Sequence, residues 1–315
     1  MGGKSPLFSG FDDFTRSHAS GSEISRHRFD GWSLDERDPQ VIKVLMAVWE
    51  FLYHYYFRVK TDGWHHLPSN GGVLIVGSHN GGLLAPDMFM FMYDWFRRYG
   101  CDRPAYGLMH PAVWKVSHAI AKGITAGLFP LPLEVEVSTL AVQCGAIVAH
   151  PKMARAALQR GAAVLVYPGG AEDAFRAHRL RHQIYFAGRK GFIKLALQEG
   201  VPIVPAISKG AHDTVIILDN YYKQVRQLHE WGLPWLFDID PVAFPIYLGL
   251  PWGLGIGPIP HIPLPVQIHT RVCKPIVFER YGFAAARDRK YVDACYNQVL
   301  TQMQLELDRL VQDCS

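Results

Sequence analysis

The length, composition and charge of this chain exclude a disordered protein and give no sign of a nucleic-acid binder. Its 315 residues are 49% hydrophobic, which is enough to bury a sizeable core. The net charge of +4 arises from 32 basic and 28 acidic residues, a balance that does not indicate nucleic-acid binding but is compatible with an anionic membrane surface.

The cysteines predict reduced thiols without structural cross-links. Their number is odd, they form no Cys-x-x-Cys pair, and the polar N-terminus shows no secretory signal. They stand at Cys101, Cys144, Cys273, Cys295 and Cys314. Together with 15 scattered histidines, this pattern predicts a cytosolic compartment and no metal site.

The N-terminal region divides into a polar arm and an apolar segment. Residues 1–40 are rich in Ser, Gly, Asp and Arg, which predicts a loosely ordered arm or a surface wrap. The segment "VIKVLMAVWEFLYHYYF", 41–57, contains Lys43 and Glu50 and is shorter than the ~20 apolar residues of a spanning helix. Its tryptophan and tyrosines predict an interfacial helix at a membrane surface, with a buried core helix as the alternative.

From residue 58 onward, strand and helix patterns alternate. The strand patterns are "GGVLIVGS", "AAVLVYPGG", "VPIVPA", "TVIIL" and "VQIHTRV"; the helix patterns are "HPKMARAALQRG" and "GRKGFIKLALQEG". A last amphipathic helix is predicted over 288–313, with apolar residues three and four apart. We therefore predict an α/β fold, with a central mixed sheet flanked by helices in one domain over 58–315.

One apolar segment departs from this alternation. "PVAFPIYLGLPWGLGIGPIP", 241–260, has no charge but contains five prolines and four glycines. Because proline removes backbone donors and kinks helices, the composition does not predict a spanning helix. We expect an apolar loop that lies on a bilayer or covers a hydrophobic tunnel; a loop packed on the core is the alternative.

The stretch "VLIVGSHNGG" contains the strongest candidate for catalysis. A hydrolase nucleophile elbow at Ser78 would need glycines at 76 and 80, where Val76 and Asn80 stand. His79, at the end of a buried strand, is the better candidate as a general base. Asp87, eight positions later, is expected to orient the imidazole; the alternative is a histidine without catalytic function.

Three segments within 55–280 together resemble the glycerolipid acyltransferase superfamily, the lysophosphatidate acyltransferases and their diacylglycerol-acylating relatives. They are "FRVKTDGWHHLPSNGGVLIVGSHNGG", "GAIVAHPKMARAALQRGAAVLVYPGGAED" and "GRKGFIKLALQEGVPIVPAISKGAHD". Their order and spacing carry the resemblance. It implies a single acyltransferase-type domain in which His79 is the catalytic base.

The first departure from the family pattern concerns the partner of this base. The family's first block is His-x4-Asp, yet five residues after His79 stands Leu84. The nearest aspartate is Asp87, which we take as the orienting residue of a loop with three extra residues; the alternative is that another group orients His79.

The second departure concerns the acceptor. Where the phosphate-acceptor enzymes have Phe-Pro-Glu-Gly-Thr-Arg, this chain has Tyr167, Pro168, Gly169, Gly170, Ala171 and Glu172. A carboxylate in place of the arginine would repel a phosphate, so we expect a neutral acceptor. With this change the segment resembles the branch that forms triacylglycerol, wax or phytyl esters. The counter-evidence is a basic group that could bind phosphate: Arg176, Arg179, Arg181, Arg189 and Lys190.

The resemblance implies an O-acyltransferase that moves a fatty acyl group from acyl-CoA or acyl carrier protein to diacylglycerol, a long-chain alcohol or phytol. No cofactor is expected. Besides His79 and Asp87, the expected substrate-binding residues are Asn80, Pro168, Gly169, Gly170 and Glu172. Backbone N–H groups of the two glycines either stabilise the oxyanion or only allow a tight turn.

The expected partners are the acyl donor, the lipid acceptor and the cytosolic face of a membrane, bound peripherally or monotopically, with no nucleic acid; the oligomeric state stays open. Alternatives are a lysophosphatidate or lysophospholipid acyltransferase, a lipid hydrolase, or a non-catalytic lipid-binding protein.

Overall fold

The computed structural model describes residues 29–111, 137–235 and 240–313. Most of the predicted N-terminal arm, residues 1–28, therefore lies outside the described residues. The remainder of the arm contacts the domain: Leu34 is buried, and its carbonyl accepts a hydrogen bond of 3.0 Å from Tyr106 Oη.

The domain is built on a seven-stranded sheet in the order β1-β10-β6-β2-β5-β3-β4. Its strands are β1 Lys60–Asp62, β2 Val73–Gly77, β3 Ala105–Met109, β4 Ala146–Val148, β5 Ala163–Val166, β6 Ile203–Lys209 and β10 His269–Val272. The five strands from β6 to β4 are mutually parallel, whereas β10 runs antiparallel to β6 and parallel to β1. The predicted α/β fold with a mixed sheet is confirmed.

Helices cover both faces of this sheet. The α-helices of the described residues are α1 Pro39–Phe51, α2 Pro86–Tyr99, α3 Val137–Gln143, α4 Pro151–Gln159, α5 Gly170–Ala174, α6 Gly191–Glu199, α7 Tyr222–Glu230, α8 Phe283–Arg287 and α9 Arg289–Asp313. All five residues of β2 are buried, as expected for a strand covered on both faces.

The side chains of β2 alternate between two hydrophobic clusters. Leu74 and Val76 belong to a cluster with α4, α6, α8 and α9. Val73 and Ile75 belong to a second cluster with α1 and α2. The two clusters therefore form separate helix layers on opposite faces of the sheet.

The C-terminal helix α9 packs in the first of these layers. The apolar residues that recur three and four positions apart in its sequence are buried: Val292, Tyr296, Val299, Met303, Leu307 and Leu310. This apolar stripe attaches the chain end to the sheet.

The N-terminal apolar segment forms helix α1 followed by a π-helical turn, Leu52–Tyr56. Asp38 caps the helix by accepting a hydrogen bond from the Gln40 N–H. One side of the segment is buried in the second layer, and Val44, Val48, Phe51 and Tyr55 remain exposed on the other. In the described ranges, no helix combines the length and hydropathy needed to cross a bilayer.

The expected loop at 241–260 is instead a β-hairpin, and this expectation was wrong. β8 Pro245–Gly249 and β9 Gly253–Ile256 pair antiparallel and join β7 Ile216–Asn220 in a second, three-stranded sheet. The prolines stand before, between and after the hydrogen-bonded residues, except Pro245 at the first position of β8. Proline is tolerated at a strand's first residue, so the strands form despite its abundance.

The four cysteines in the described ranges are free thiols. Burial raises the pKa of the Cys144 and Cys273 thiols to about 12, so both are protonated at neutral pH. Cys314 lies outside the described residues.

Candidate active site

His79 lies in the loop that leaves β2 at the carboxyl edge of the parallel strands. The neighbouring strand β5 ends at the same edge and is followed by Tyr167, whose ring centroid lies 5.4 Å from that of His79. Ligands of open α/β sheets bind beyond the carboxyl ends of the strands. The two predicted segments, 78–82 and 168–172, are therefore brought together here.

The imidazole of His79 is uncharged at neutral pH. Its Nδ1 atom is buried and has no hydrogen-bond partner among the described residues. Burial, with a smaller contribution from the positive charge of Arg176, lowers the pKa of His79 to about 4. The ring is therefore neutral at pH 7.

The loop backbone around His79 is held by Asp173, a residue that sequence analysis missed. The His79 N–H donates a hydrogen bond of 2.6 Å to Asp173 Oδ2. The buried Ser78 Oγ donates to the same oxygen at 3.1 Å. Ser78 is thus bound to a carboxylate, and its hydroxyl supports the loop.

Arg176 is the second residue that organises this loop, and it is 6% exposed. Its NH1 donates to His79 O at 2.7 Å and to Asp173 Oδ1 at 2.9 Å. The other donors reach Asn80 Oδ1, Leu180 O and Arg181 O. A guanidinium carries five N–H donors, and the hydrogen bonds of Arg176 engage all three of its nitrogens. No donor of Arg176 is left for a substrate phosphate.

Asp87 does not accept a hydrogen bond from His79, so the predicted pair is not formed. The buried Asp87 carboxylate instead accepts hydrogen bonds from Asn80 Nδ2, at 2.9 Å, and from the Met88 N–H, at 3.0 Å. The difference arises because Asp87 lies in the first turn of α2, where a negative charge is favoured by the helix dipole and its carboxylate is held by Met88 and Asn80. Burial raises its pKa to about 7.

Asn80 links the parts of the loop. It donates from Nδ2 to Ser78 O and Asp87 while its Oδ1 accepts from Arg176. Its side chain is buried, and both ends of its amide are bound to protein groups. In this structure Asn80 holds the loop, and its contact with substrate stays a prediction.

The Pro168–Gly170 turn requires its glycines for packing. A Cβ at Gly169 would lie 2.2 Å from both Asp173 Cβ and Tyr185 O, and Gly170 has a φ of +54°. The Gly170 N–H, one of the two donors considered for an oxyanion, donates to Tyr167 O at 3.2 Å. The tight-turn interpretation thus accounts for both glycines in this structure.

Glu172 is paired with Arg189, which changes the electrostatic argument from the sequence. Arg189 NH2 lies 2.7 Å from Glu172 Oε1, and its NH1 donates to Gly169 O at 2.6 Å. The carboxylate is therefore compensated and closes the turn. Its expected repulsion of a phosphate is correspondingly weaker.

The small sheet supplies a further wall of the site. A Cβ added at Gly82 would lie 3.3 Å from His261 Cε1 and 3.6 Å from Val215 Cγ1. His261 is buried, its Nε2 atom has no hydrogen-bond partner among the described residues, and burial lowers its pKa. A second unpaired imidazole nitrogen thus lies beside the His79 loop.

His212 joins the two halves of the site. Its Nδ1 lies 3.4 Å from the donating Gly81 N–H and its Nε2 lies 2.9 Å from Arg176 O, so Nε2 carries the hydrogen. The sequence offered no signal for His212 or His261, because their neighbours in space are distant in sequence. Within the described part of the chain, no group of three or more potential metal ligands converges.

The sequence of this chain is similar to those of several known proteins. A family model described as diacylglycerol acyltransferase matches residues 121–308. A Mycobacterium tuberculosis protein described as uncharacterised is 27% identical over 305 residues, 95% of this chain and 76% of its own. Human 2-acylglycerol O-acyltransferase 3 is 23% identical over 262 residues, 82% of this chain and 70% of its own. The crystal structure of the 1-acyl-sn-glycerophosphate acyltransferase PlsC from Thermotoga maritima has 14% identity and a TM-score of 0.43, covering 94% of this chain and 89% of its own.

Proposed function

The chain belongs to the diacylglycerol acyltransferase family. From this premise we propose that it transfers a fatty acyl group from an acyl thioester to the hydroxyl of a neutral lipid. In this proposal His79 is the general base. The donor is acyl-CoA or acyl carrier protein. The acceptor class comprises diacylglycerol, long-chain alcohols and phytol.

The observation that carries the proposal is the environment of His79. A neutral imidazole with an unpaired nitrogen stands at the carboxyl edge of the sheet, in a loop fixed by Asp173 and Arg176. A general base must be deprotonated at working pH and held rigidly. His79 meets both conditions.

The proposed reaction is a direct transfer. His79 takes the proton of the acceptor hydroxyl, whose oxygen attacks the thioester carbonyl. The carbon–sulfur bond of the tetrahedral intermediate then breaks, the thiolate leaves, and the proton on His79 neutralises it. The reaction requires no acyl-enzyme, metal or cofactor.

A neutral acceptor is favoured because the two arginines of the site are already bound to protein groups. The nitrogens of Arg176 are all bound to protein acceptors, and Arg189 is paired with Glu172. A phosphate beside His79 would need charge-assisted hydrogen bonds; Arg176 offers none without breaking existing ones, and the charge of Arg189 is already balanced by Glu172. This argument replaces the predicted repulsion by Glu172.

Action on a membrane lipid is supported by two exposed apolar surfaces, one on α1 and one on the small sheet. Apolar patches of this kind are typical of protein or membrane contacts. We propose that the protein is membrane-associated, peripherally or monotopically, on the cytosolic face.

The test is free-thiol release from acyl-CoA by the purified protein, given diacylglycerol, a long-chain alcohol, lysophosphatidate or no acceptor. We expect release that depends on a neutral alcohol and falls by at least about a hundredfold in His79→Ala. His66→Ala serves as a control for loss of a partly buried histidine outside the site, and it should retain activity.

Other results of this assay would contradict either the neutral acceptor or the proposed reaction. Release dependent on lysophosphatidate would preserve His79 as base but contradict the neutral acceptor. Release without any acceptor, or full activity in His79→Ala, would overturn the proposed reaction.

A further inference from the structure

A basic cleft lies on the opposite side of the α6 helix from the sheet. It has a volume of about 520 Å³ and lies between α6, α8 and the start of α9. Its polar lining comprises Lys190, Lys194, Gln198, Arg287, Arg289 and Asp293. This volume is in the range of small-molecule sites, roughly 300–1,000 Å³.

The charge of this basic cleft is poorly compensated. Lys190 Nζ lies 2.8 Å from Asp293 Oδ1, which neutralises one cation with the one carboxylate in the lining. Lys194, Arg287 and Arg289 have no ion pair with any described residue. Three like charges around one cleft repel each other, and a bound polyanion would relieve that repulsion.

An exposed aromatic ring outside the lining lies near the Gln198 end of the basic cleft. Phe283 precedes Arg287 by one helical turn on α8 and is 55% exposed. Arg155 lies 5.9 Å from the centroid of the Phe283 ring, and it also donates to the cleft residue Gln198. Exposed aromatic rings provide stacking surfaces for nucleobases.

The other end of the basic cleft is connected to the candidate active site. Lys190 follows Arg189, whose guanidinium binds Gly169 O and Glu172. Gly169 packs against Asp173, which holds the His79 N–H. Helix α6 also starts at the sheet edge where His79 lies, because it runs antiparallel to the parallel strands.

The position of the basic cleft separates it from the proposed membrane contacts. The cleft belongs to the layer of α6, α8 and α9, whereas α1 lies in the layer on the opposite face of the sheet. A cleft on that side faces water when α1 faces a bilayer. The anion that suits it is therefore a soluble one rather than a lipid headgroup.

We propose that the basic cleft binds the phosphorylated nucleotide of an acyl-CoA donor, with Lys194, Arg287 and Arg289 contacting the phosphates and Phe283 contacting the adenine. The pantetheine arm then extends past Lys190 and Arg189 and brings the thioester to His79. The inference rests on the proposed function and selects coenzyme A, rather than a carrier protein, as the donor's acyl carrier.

The test compares wild type with the triple variant Lys194→Ala/Arg287→Ala/Arg289→Ala. We expect the KM for acyl-CoA to rise at least about tenfold, with little change in kcat and no change in KM for the matching acyl-pantetheine, which lacks the nucleotide. The control Lys60→Ala/Lys223→Ala removes exposed lysines outside the cleft and should leave both values unchanged. Thermal unfolding verifies that each variant is folded.

Calorimetric binding of free coenzyme A separates this inference from the proposed reaction. Binding by wild type that is lost in the triple variant supports the cleft even if no acceptor is acylated. The proposal is overturned if coenzyme A does not bind, if acyl-pantetheine is affected as strongly as acyl-CoA, if the control shows the same loss, or if only an acyl carrier protein donor responds.

Discussion

At the scale of single residues, Asp173 and Arg176 determine where His79 lies. Their carboxylate and guanidinium groups are buried and lie 2.9 Å apart. Between them they bind the backbone N–H and the carbonyl of His79. Removing either residue would leave an unpaired buried charge and release one of the two backbone contacts of His79.

We therefore predict that Asp173→Ala lowers the free energy of unfolding by about 3–5 kcal/mol, as for other buried pairs that lose one partner. The double variant Asp173→Ala/Arg176→Met should lose less than the sum of the single variants, because it leaves no isolated charge. Denaturant titration measures both values.

The matched control is Arg226→Ala, which breaks the exposed pair with Glu230 at 3.2 Å. Its cost should be below about 1 kcal/mol, as for exposed pairs in general. Equal losses of unfolding free energy in the control and in Asp173→Ala would show that the buried pair stabilises the fold no more than an exposed pair does.

At the scale of elements, the three-stranded sheet has two apolar faces. Tyr247 pairs with Gly255 and Ile217 on the face packed in the domain. On the outer face, Leu248 pairs with Leu254 and Ile246 pairs with Ile256. The outer face of a half-buried sheet is normally polar, so an apolar one indicates a further contact.

This outer face is connected to the π-helical turn that follows helix α1. The Tyr56 hydroxyl donates a hydrogen bond of 2.6 Å to Pro263 O, and the adjacent Ile262 forms a β-bridge with Leu250 in the hairpin turn. Residues 241–270 contain no Asp, Glu, Lys or Arg. The exposed sides of α1 and the hairpin are thus linked through an uncharged segment.

We predict that Leu254→Glu/Ile256→Glu reduces binding to phospholipid vesicles at least about tenfold, since each buried aliphatic side chain stabilises the bound state and each new carboxylate opposes it. Val44→Glu/Val48→Glu should have a similar effect through α1. Vesicle co-sedimentation measures the change.

The control Val277→Glu/Leu305→Glu changes side chains of comparable exposure, 64% and 51%, against 56% for Leu254 and 54% for Ile256. These residues lie outside the apolar surface, and vesicle binding should persist. If instead the Leu254 and Ile256 variant only alters self-association, as seen in sedimentation velocity, the outer face contacts another copy of the chain.

At the scale of the whole molecule, the sheet lies between the basic cleft proposed for the donor and helix α1, which is proposed to contact the membrane. The layer with α6, α8 and α9 carries the basic cleft, and the layer with α1 and α2 carries part of the apolar surface. His79 lies at the edge between them. A water-soluble donor and a lipid acceptor can thus approach the same atoms from different directions.

We predict that the two sides act independently. Combining the triple cleft variant with Leu254→Glu/Ile256→Glu should multiply their separate effects on kcat/KM with vesicle-borne acceptor, because distant sites without shared partners add in free energy. In detergent micelles, where docking is not required, only the cleft changes should act. Strong departure from multiplication would show that the two surfaces are coupled.

The sequence by itself determined the fold class and the location of His79, the candidate base. The hydrophobic run Val73–Gly77 and the helix periodicity of α4, α6 and α9 are patterns of neighbouring residues. Such local patterns predict strands and helices without any tertiary information. The position of His79 at the end of a buried strand followed from the same pattern.

Only the tertiary structure decided which groups surround His79. Asp173, Arg176, His212 and His261 come from segments far apart in the chain, and their hydrogen bonds and burial depend on how the sheet brings those segments together. Asp87 was assigned to His79 because its spacing allowed it, but the start of α2 directs its carboxylate to Asn80. Likewise, strand pairing at 245–256 depends on where the prolines fall relative to a partner strand, which composition does not reveal.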